Sequence, residues 1–179
     1  MAEQPLQLLQ ADGTVSRKIS RVISEGELLR WYEYMVLTRA MDERCMMLQR
    51  QGRFGFYLPS TGEEALQIGG AAAFLPEDWI FPSYRVPGIF LWRGVALDDM
   101  ICNLFGNSGD LAKGRQMPVH YSFKKQNMVS ISSPIGTQIV QATGAAMAAN
   151  ILKHKTVVGT WFGDGGTSSS DFHTGLNFA

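Results

Sequence analysis

The sequence predicts an α/β fold, a parallel sheet flanked by helices, and three observations carry that expectation. Apolar residues recur at helical spacing in one long segment and several shorter ones. Two short apolar runs, 79–81 and 156–162, read as strands standing between those helices. The second run leads directly into Gly163-Asp164-Gly165-Gly166, and ligand-binding groups collect at strand ends in such sheets.

Length and composition set the frame for these elements. With 179 residues, 45% of them hydrophobic and 18% charged, the chain suffices for one modest core. Sixteen basic and sixteen acidic residues cancel, so charge recruits neither nucleic acid nor an anionic membrane, and the expected partners are small molecules and proteins. Cys45 and Cys102 sit far apart within apolar helical patterns and read as buried free thiols, which suits a reducing cytoplasm. The first residues lack a signal-peptide layout, and no apolar run approaches the roughly 20 residues that span a bilayer.

Residues 1–23 are polar and weakly periodic, and are expected to form an extended arm ahead of a domain spanning 24–179. Ser24 with Glu27 three residues on is a capping box. It opens a long amphipathic helix to about Gln51, with Leu28, Trp31, Met35, Thr38, Asp42, Cys45 and Met46 on one face. Met41, Met46 and Met47 read as adaptable core filler.

Gly52 closes the helix, and residues 54–62 form an aromatic loop that either seals the core or lines a pocket, the former being favoured. A helix over 63–74 follows, and Glu63 and Glu64 in its first turn complement its dipole. The strand 79–81 ends at Pro82-Ser83-Tyr84-Arg85, where Arg85 suits either a forked bond to phosphate or an ordinary ion pair. Helices containing Ile89, Phe90 and Trp92, and then spanning 98–105, precede a long connection over 106–127. A connection of that length covers a site or a partner. His120 lies within it, and reads as a solvated or structural loop histidine without a Ser or Cys nucleophile at recognisable spacing.

Two segments carry chemistry. Ser132-Ser133-Pro134-Ile135-Gly136-Thr137-Gln138 enters a helix rich in small residues, and its hydroxyl, amide and carbonyl oxygens are ligands a hard cation accepts; a plain helix cap is the simpler reading. Asp164, held between glycines, suits a Mg²⁺ position that bridges to phosphate oxygens, with residues 168–170 capping the next helix. The glycine spacing fits neither a Walker loop nor a dinucleotide fingerprint.

Several segments in order resemble the alpha subunits of branched-chain 2-oxo acid dehydrogenases, the thiamine diphosphate-dependent decarboxylating component of their complex. They are Gln49-Arg50-Gln51-Gly52-Arg53, Phe56-Tyr57, Gly62-Glu63-Glu64, Tyr84-Arg85, Gly114-Arg115-Gln116-Met117-Pro118-Val119-His120-Tyr121, Ile131-Ser132-Ser133-Pro134 with Thr137-Gln138, and Gly163-Asp164-Gly165. The resemblance covers most of the chain and the amino-terminal part of such a subunit. It implies a thiamine diphosphate-binding fold, incomplete at its C-terminal end.

The resemblance implies a role for each matched residue. Asp164 holds Mg²⁺; Tyr84, Arg85, Ser133, Ile135, Gly165 and Gly166 contact thiamine diphosphate; and Ser132, Pro134, Thr137 and Gln138 hold a structural K⁺. The implied partners are a beta subunit in a heterotetramer, a lipoyl-bearing acyltransferase core and a small 2-oxo acid. The second half of the cofactor motif lies beyond Ala179, and no catalytic base is expected within this chain. Pyruvate or acetoin dehydrogenase alpha subunits, or a short non-catalytic subunit that only binds partners, are the competing readings.

Overall fold

The computed structural model describes residues 7, 10–14 and 23–179. The arm expected over 1–23 therefore falls mostly outside the described residues. Its described part is a turn in which Asp12 accepts from both the backbone and the hydroxyl of Thr14.

Helix α1 spans Glu25–Arg50 and is capped as expected, with Ser24 and Glu27 exchanging hydrogen bonds. Its inner face runs through Thr38, Met41, Asp42 and Cys45. Leu28, placed on that face by periodicity, is instead half exposed. At its centre α1 packs on α2 (Glu64–Ala72) and α3 (Pro87–Trp92). Gly88 makes this approach possible: a Cβ there would lie 2.9 Å from Gln67 Oε1 and 3.0 Å from Thr38 Oγ1. Gln67, fully buried, accepts from Gly88 N at 2.8 Å and donates to the Arg85 carbonyl at 3.3 Å. The α2–α3 contact thus fixes the backbone that carries Arg85.

Strand β1 (Trp79–Phe81) pairs in parallel with β2 (Val158–Thr160), the central part of the run expected over 156–162. On the other side of β1, Met128 bridges Ile80 in parallel, with Ile80 N donating to Asn127 O and Val129 N to Ile80 O. The chain therefore steps to one side of β1, then returns across it. Such a reversal is where open α/β sheets bind ligands, beyond the strand C-termini. Asp78, buried at the opposite end, accepts from Leu75 N and Val157 N, each at 2.8 Å, and so aligns β1 with β2.

The core lies between β1 and the helices, around fully buried Phe90, Ile80, Ile89, Met100, Leu104 and Met128. Helix α4 (Leu97–Phe105) closes it and ends at Gly106 in the left-handed region. The long 106–127 connection passes over it with Val119, Tyr121 and Phe123 pointing inward. Helix α5 (Thr137–Ile151) packs on the sheet and on α6 (Ser170–Phe178). The aromatic loop 54–62 seals the core, Phe54 and Tyr57 both being buried. Both cysteines are free, Cys45 buried and Cys102 half-buried. No described helix is long and apolar enough to cross a membrane.

Candidate functional site

A cleft of about 560 Å³ opens at the C-terminal ends of β1 and β2. That volume lies within the range of small-molecule sites, roughly 300–1,000 Å³. Its walls come from four segments: residues 83–86 after β1, 132–138 entering α5, 161–166 after β2, and Glu63 and Leu66 of α2. Nine of the eleven residues singled out from sequence line it; Ser133 and Thr137 do not.

Arg85 supplies the cleft's cationic group. Its Nη1 donates to the Pro59 carbonyl at 3.1 Å, while its backbone carbonyl is held by Gln67. No carboxylate pairs with it among the described residues, so the ion-pair reading is set aside and four of its five N–H groups remain for a ligand. The loop bearing Pro59 is held in turn by buried Asp42. Its carboxylate accepts from Tyr57 Oη at 2.6 Å, Ser60 N at 2.6 Å, Ser60 Oγ at 3.1 Å and Thr61 Oγ1 at 3.3 Å. Burial, then the bond to Asp42, pushes the Tyr57 phenol far above its usual range. Glu64 does not face the cleft chemistry: it bonds Arg39 at 2.6 Å and accepts from Gly62 N, and the Arg39 guanidinium holds its carboxyl below the usual range.

Asp164 starts a 3₁₀ turn, Asp164–Ser168, immediately after extended Gly163. Its carbonyl accepts from Thr167 Oγ1 at 2.6 Å, whereas its exposed carboxylate has no partner among the described residues. A Cβ at Gly163 or Gly165 would meet nothing within 4 Å, so both leave open space toward the cleft. Gly166 serves packing instead, since a Cβ there would lie 3.2 Å from the Phe162 ring. Among the described residues no group of three or more His, Cys, Asp and Glu could hold a metal. A single carboxylate nevertheless fits Mg²⁺, which binds through one or two carboxylates plus phosphate oxygens and water.

The segment 132–138 gathers four uncharged oxygen donors. Ser132 and Thr137 hydroxyls bond each other, Thr137 Oγ1 donates to the Pro134 carbonyl at 3.2 Å, and Gln138 Nε2 donates to the Trp161 carbonyl at 3.0 Å. That last bond leaves Gln138 Oε1 as an acceptor. The donor set has the chemistry of a site for a weakly demanding cation such as K⁺. Ile135, 58% exposed, and Leu66, 64% exposed, give the cleft its apolar wall.

Sequence reasoning missed one neighbour. His120 is 3% exposed, and its Nε2 lies 2.7 Å from Ser133 Oγ across thirteen positions of sequence. It also stacks on Tyr84, with centroids 5.7 Å apart. Only the return of the chain across β1 brings these residues together, and spacing carries no trace of it.

The cleft thus sets one guanidinium, Arg85, with two carboxylates, Glu63 and Asp164, beside the strand ends of an α/β domain. Residues 32–179 match the family model described as the dehydrogenase E1 component, and the chain belongs to that family. It is 48% identical over 157 residues to 2-oxoisovalerate dehydrogenase subunit alpha 1, mitochondrial, of Arabidopsis thaliana, which covers 88% of this chain and 33% of that protein. It is 41% identical over 173 residues to the mitochondrial 2-oxoisovalerate dehydrogenase subunit alpha of Dictyostelium discoideum (96% and 39%). Against the Bos taurus counterpart the figure is 43% over 157 residues (88% and 34%). The chain thus spans roughly a third of the length of these curated relatives. All three are mitochondrial by name, which overturns the expectation of a cytoplasmic protein. Balanced charge and free thiols report on solubility and redox state, and do not distinguish one reducing compartment from another.

Proposed function

We propose that the chain belongs to the alpha subunit of a thiamine diphosphate-dependent branched-chain 2-oxo acid dehydrogenase, and forms the side of its cofactor site that holds the diphosphate. The observation that carries this reading is the convergence of Arg85, Tyr84, Ile135 and Asp164 on one cleft at the strand C-termini. The 2-oxoisovalerate specificity in the relatives' names supports the substrate class. A beta subunit completes the site in a heterotetramer of thiamine diphosphate-binding folds, and a lipoyl-bearing acyltransferase receives the acyl group.

The bound cofactor supplies an electron sink for loss of CO₂ from a 2-oxo acid. The residues of this chain bind, orient and exclude water. Arg85 meets diphosphate oxygens with forked, charge-assisted bonds, and the open Gly165 backbone lets phosphate approach closely. Asp164 provides the carboxylate for Mg²⁺, and Ser132, Pro134, Thr137 and Gln138 hold K⁺ and so stiffen the turn bearing Ser133. Tyr84 and Ile135 cover the cofactor's apolar part, where exclusion of water strengthens every polar contact.

Titration of thiamine diphosphate in Mg²⁺ onto the chain assembled with its beta subunit tests the reading. Asp164→Ala is expected to weaken binding on the order of 10- to 100-fold, the worth of a lost charged contact. The urea midpoint should stay put, because the carboxylate is exposed and unpartnered. An unsubstituted complex that binds no cofactor refutes the proposal, and an unchanged affinity removes Asp164 from the metal. Faster decarboxylation of 2-oxoisovalerate than of pyruvate is the expected substrate preference; the reverse would assign the subunit to the pyruvate class.

A further inference from the structure

We infer that His120 is a positioning residue of the cleft, holding the Ser133 hydroxyl and the Tyr84 ring in place from behind; the inference deepens the cofactor-binding reading and rests on it. The argument begins with protons. His120 Nδ1 lies 2.9 Å from the Pro118 carbonyl, which can only accept, so the neutral ring carries its proton on Nδ1. Nε2 then bears a lone pair, and the Ser133 hydroxyl at 2.7 Å must be the donor. Its one proton is committed to the imidazole, in preference to the long 3.8 Å contact with Met117 Sδ. Ser133 Oγ therefore presents only lone pairs to a ligand, and accepts where a free serine could also donate.

The same ring stacks on Tyr84 at an interplanar angle of 25°. Tyr84 lines the cleft from the end of β1, while Ser132 and Pro134, the chain neighbours of Ser133, line it from the turn before α5. One buried imidazole thus clamps two walls, one following β1 and the other leading into α5. The backbone is bent to deliver it: Val119 adopts φ 62°, a left-handed conformation that a β-branched residue rarely takes, and is itself 2% exposed. His120 N closes the turn on Met117 O at 3.1 Å. Strain of this kind persists only where surrounding contacts over-determine it, and it concentrates at binding and catalytic sites.

The test separates positioning from simple packing. In the complex with the beta subunit, thiamine diphosphate affinity in Mg²⁺ is measured for His120→Asn, His120→Gln, Ser133→Ala and the His120→Asn/Ser133→Ala double variant. Gln can place an oxygen where Nε2 accepts, whereas Asn can reach only the Nδ1 position. His120→Asn and Ser133→Ala should each weaken binding roughly three- to tenfold, the range for one lost neutral hydrogen bond. His120→Gln should lose less than His120→Asn, because it restores the hydrogen bond while the Tyr84 stacking is gone in both, and the double variant should fall short of the product of the singles, as expected for a shared interaction. Equal losses for Gln and Asn, or a double loss equal to the product of the singles, would overturn the inference. Nitrogen resonances of ¹⁵N-labelled histidine in the same complex decide independently of cofactor: a proton on Nε2, or an Nε2 resonance unmoved by Ser133→Ala, overturns it, and a proton on Nδ1 with an Nε2 resonance that shifts once the Ser133 hydroxyl is gone supports it. Absence of cofactor binding by the unsubstituted complex would refute the proposed function instead, and leave the resonances to judge the clamp.

Discussion

Asp42→Asn removes a charge at the root of the cleft while keeping its shape, and the structure allows the loss to be worked out. In the native chain Oδ1 accepts from Tyr57 Oη, and Oδ2 accepts from Ser60 N, Ser60 Oγ and Thr61 Oγ1. An asparagine keeps its oxygen toward Ser60 N, Ser60 Oγ and Thr61 Oγ1 and turns its amide toward Tyr57 Oη, because a phenol oxygen can accept and a backbone N–H cannot. The buried Tyr57 hydroxyl, which gives its proton to Oδ1 at 2.6 Å in the native chain, is then left facing another donor. An unsatisfied buried donor costs about 1–3 kcal/mol, and weakening a charge-assisted bond to a neutral one adds about 1 kcal/mol. The sum is about 3 kcal/mol, equivalent to a fall in Tm of roughly 6–12 °C for a chain of this size. Urea unfolding followed by circular dichroism reads the change at constant m-value. A loss below about 0.5 kcal/mol would refute the account. It would mean that the loop 54–62 is held by its aromatic packing alone, and that Pro59 reaches Arg85 without help from Asp42.

Two further outcomes follow from the same core. Burial holds the Cys45 thiol at about 11 instead of 9.0, and pushes the Tyr57 and Tyr121 phenols well above their ordinary range. A raised acid keeps its proton in the folded state while the unfolded chain gives it up. Stability is therefore fully present below about pH 9 and falls as pH rises toward 11, by up to about 1.4 kcal/mol per pH unit for each such group. Cys45→Ala should flatten the slope between pH 9 and 11, and an unchanged slope would exclude the thiol as a source. Gly159→Ala would place a Cβ 2.5 Å from Phe74 Cζ and 3.0 Å from Trp161 Cζ3, so overpacking of about 1–3 kcal/mol is expected in urea unfolding. A cost near zero would mean that the Phe74–Trp161 pair swings aside freely.

The elements legible in the sequence are those set by local rules. The capping box placed the start of α1, and the apolar run at 79–81 coincides with β1. The Gly106 stop of α4 and the Ser169 cap of α6 follow the same local chemistry. Cleft-lining residues were reachable because Tyr84-Arg85, the 132–138 turn and Gly163-Asp164-Gly165 each keep their chemistry within a few positions. What stayed hidden is non-local. Gln67, eighteen and twenty-one residues from its partners, supports Arg85, and Asp42 supports the loop that meets it. Each looks like an ordinary polar residue on an amphipathic helix until burial removes water as an alternative partner. His120 read as a solvated or structural loop residue for the same reason, since its serine lies on another segment.

The glycines show how the cleft is built as one unit. Gly136 turns at φ 96°, and a Cβ there would sit 2.8 Å from Ser169 Oγ, so the turn before α5 meets the loop after β2 with no side chain between them. Gly175 does the same one helical layer further on, against Ile139 Cγ2 at 2.7 Å. Gln138 adds a direct bond to the Trp161 carbonyl. The uncharged oxygens of 132–138 and the carboxylate of Asp164 thus lie on segments that cannot shift independently. A densely packed contact of this kind transmits displacement because it has little free volume to absorb it.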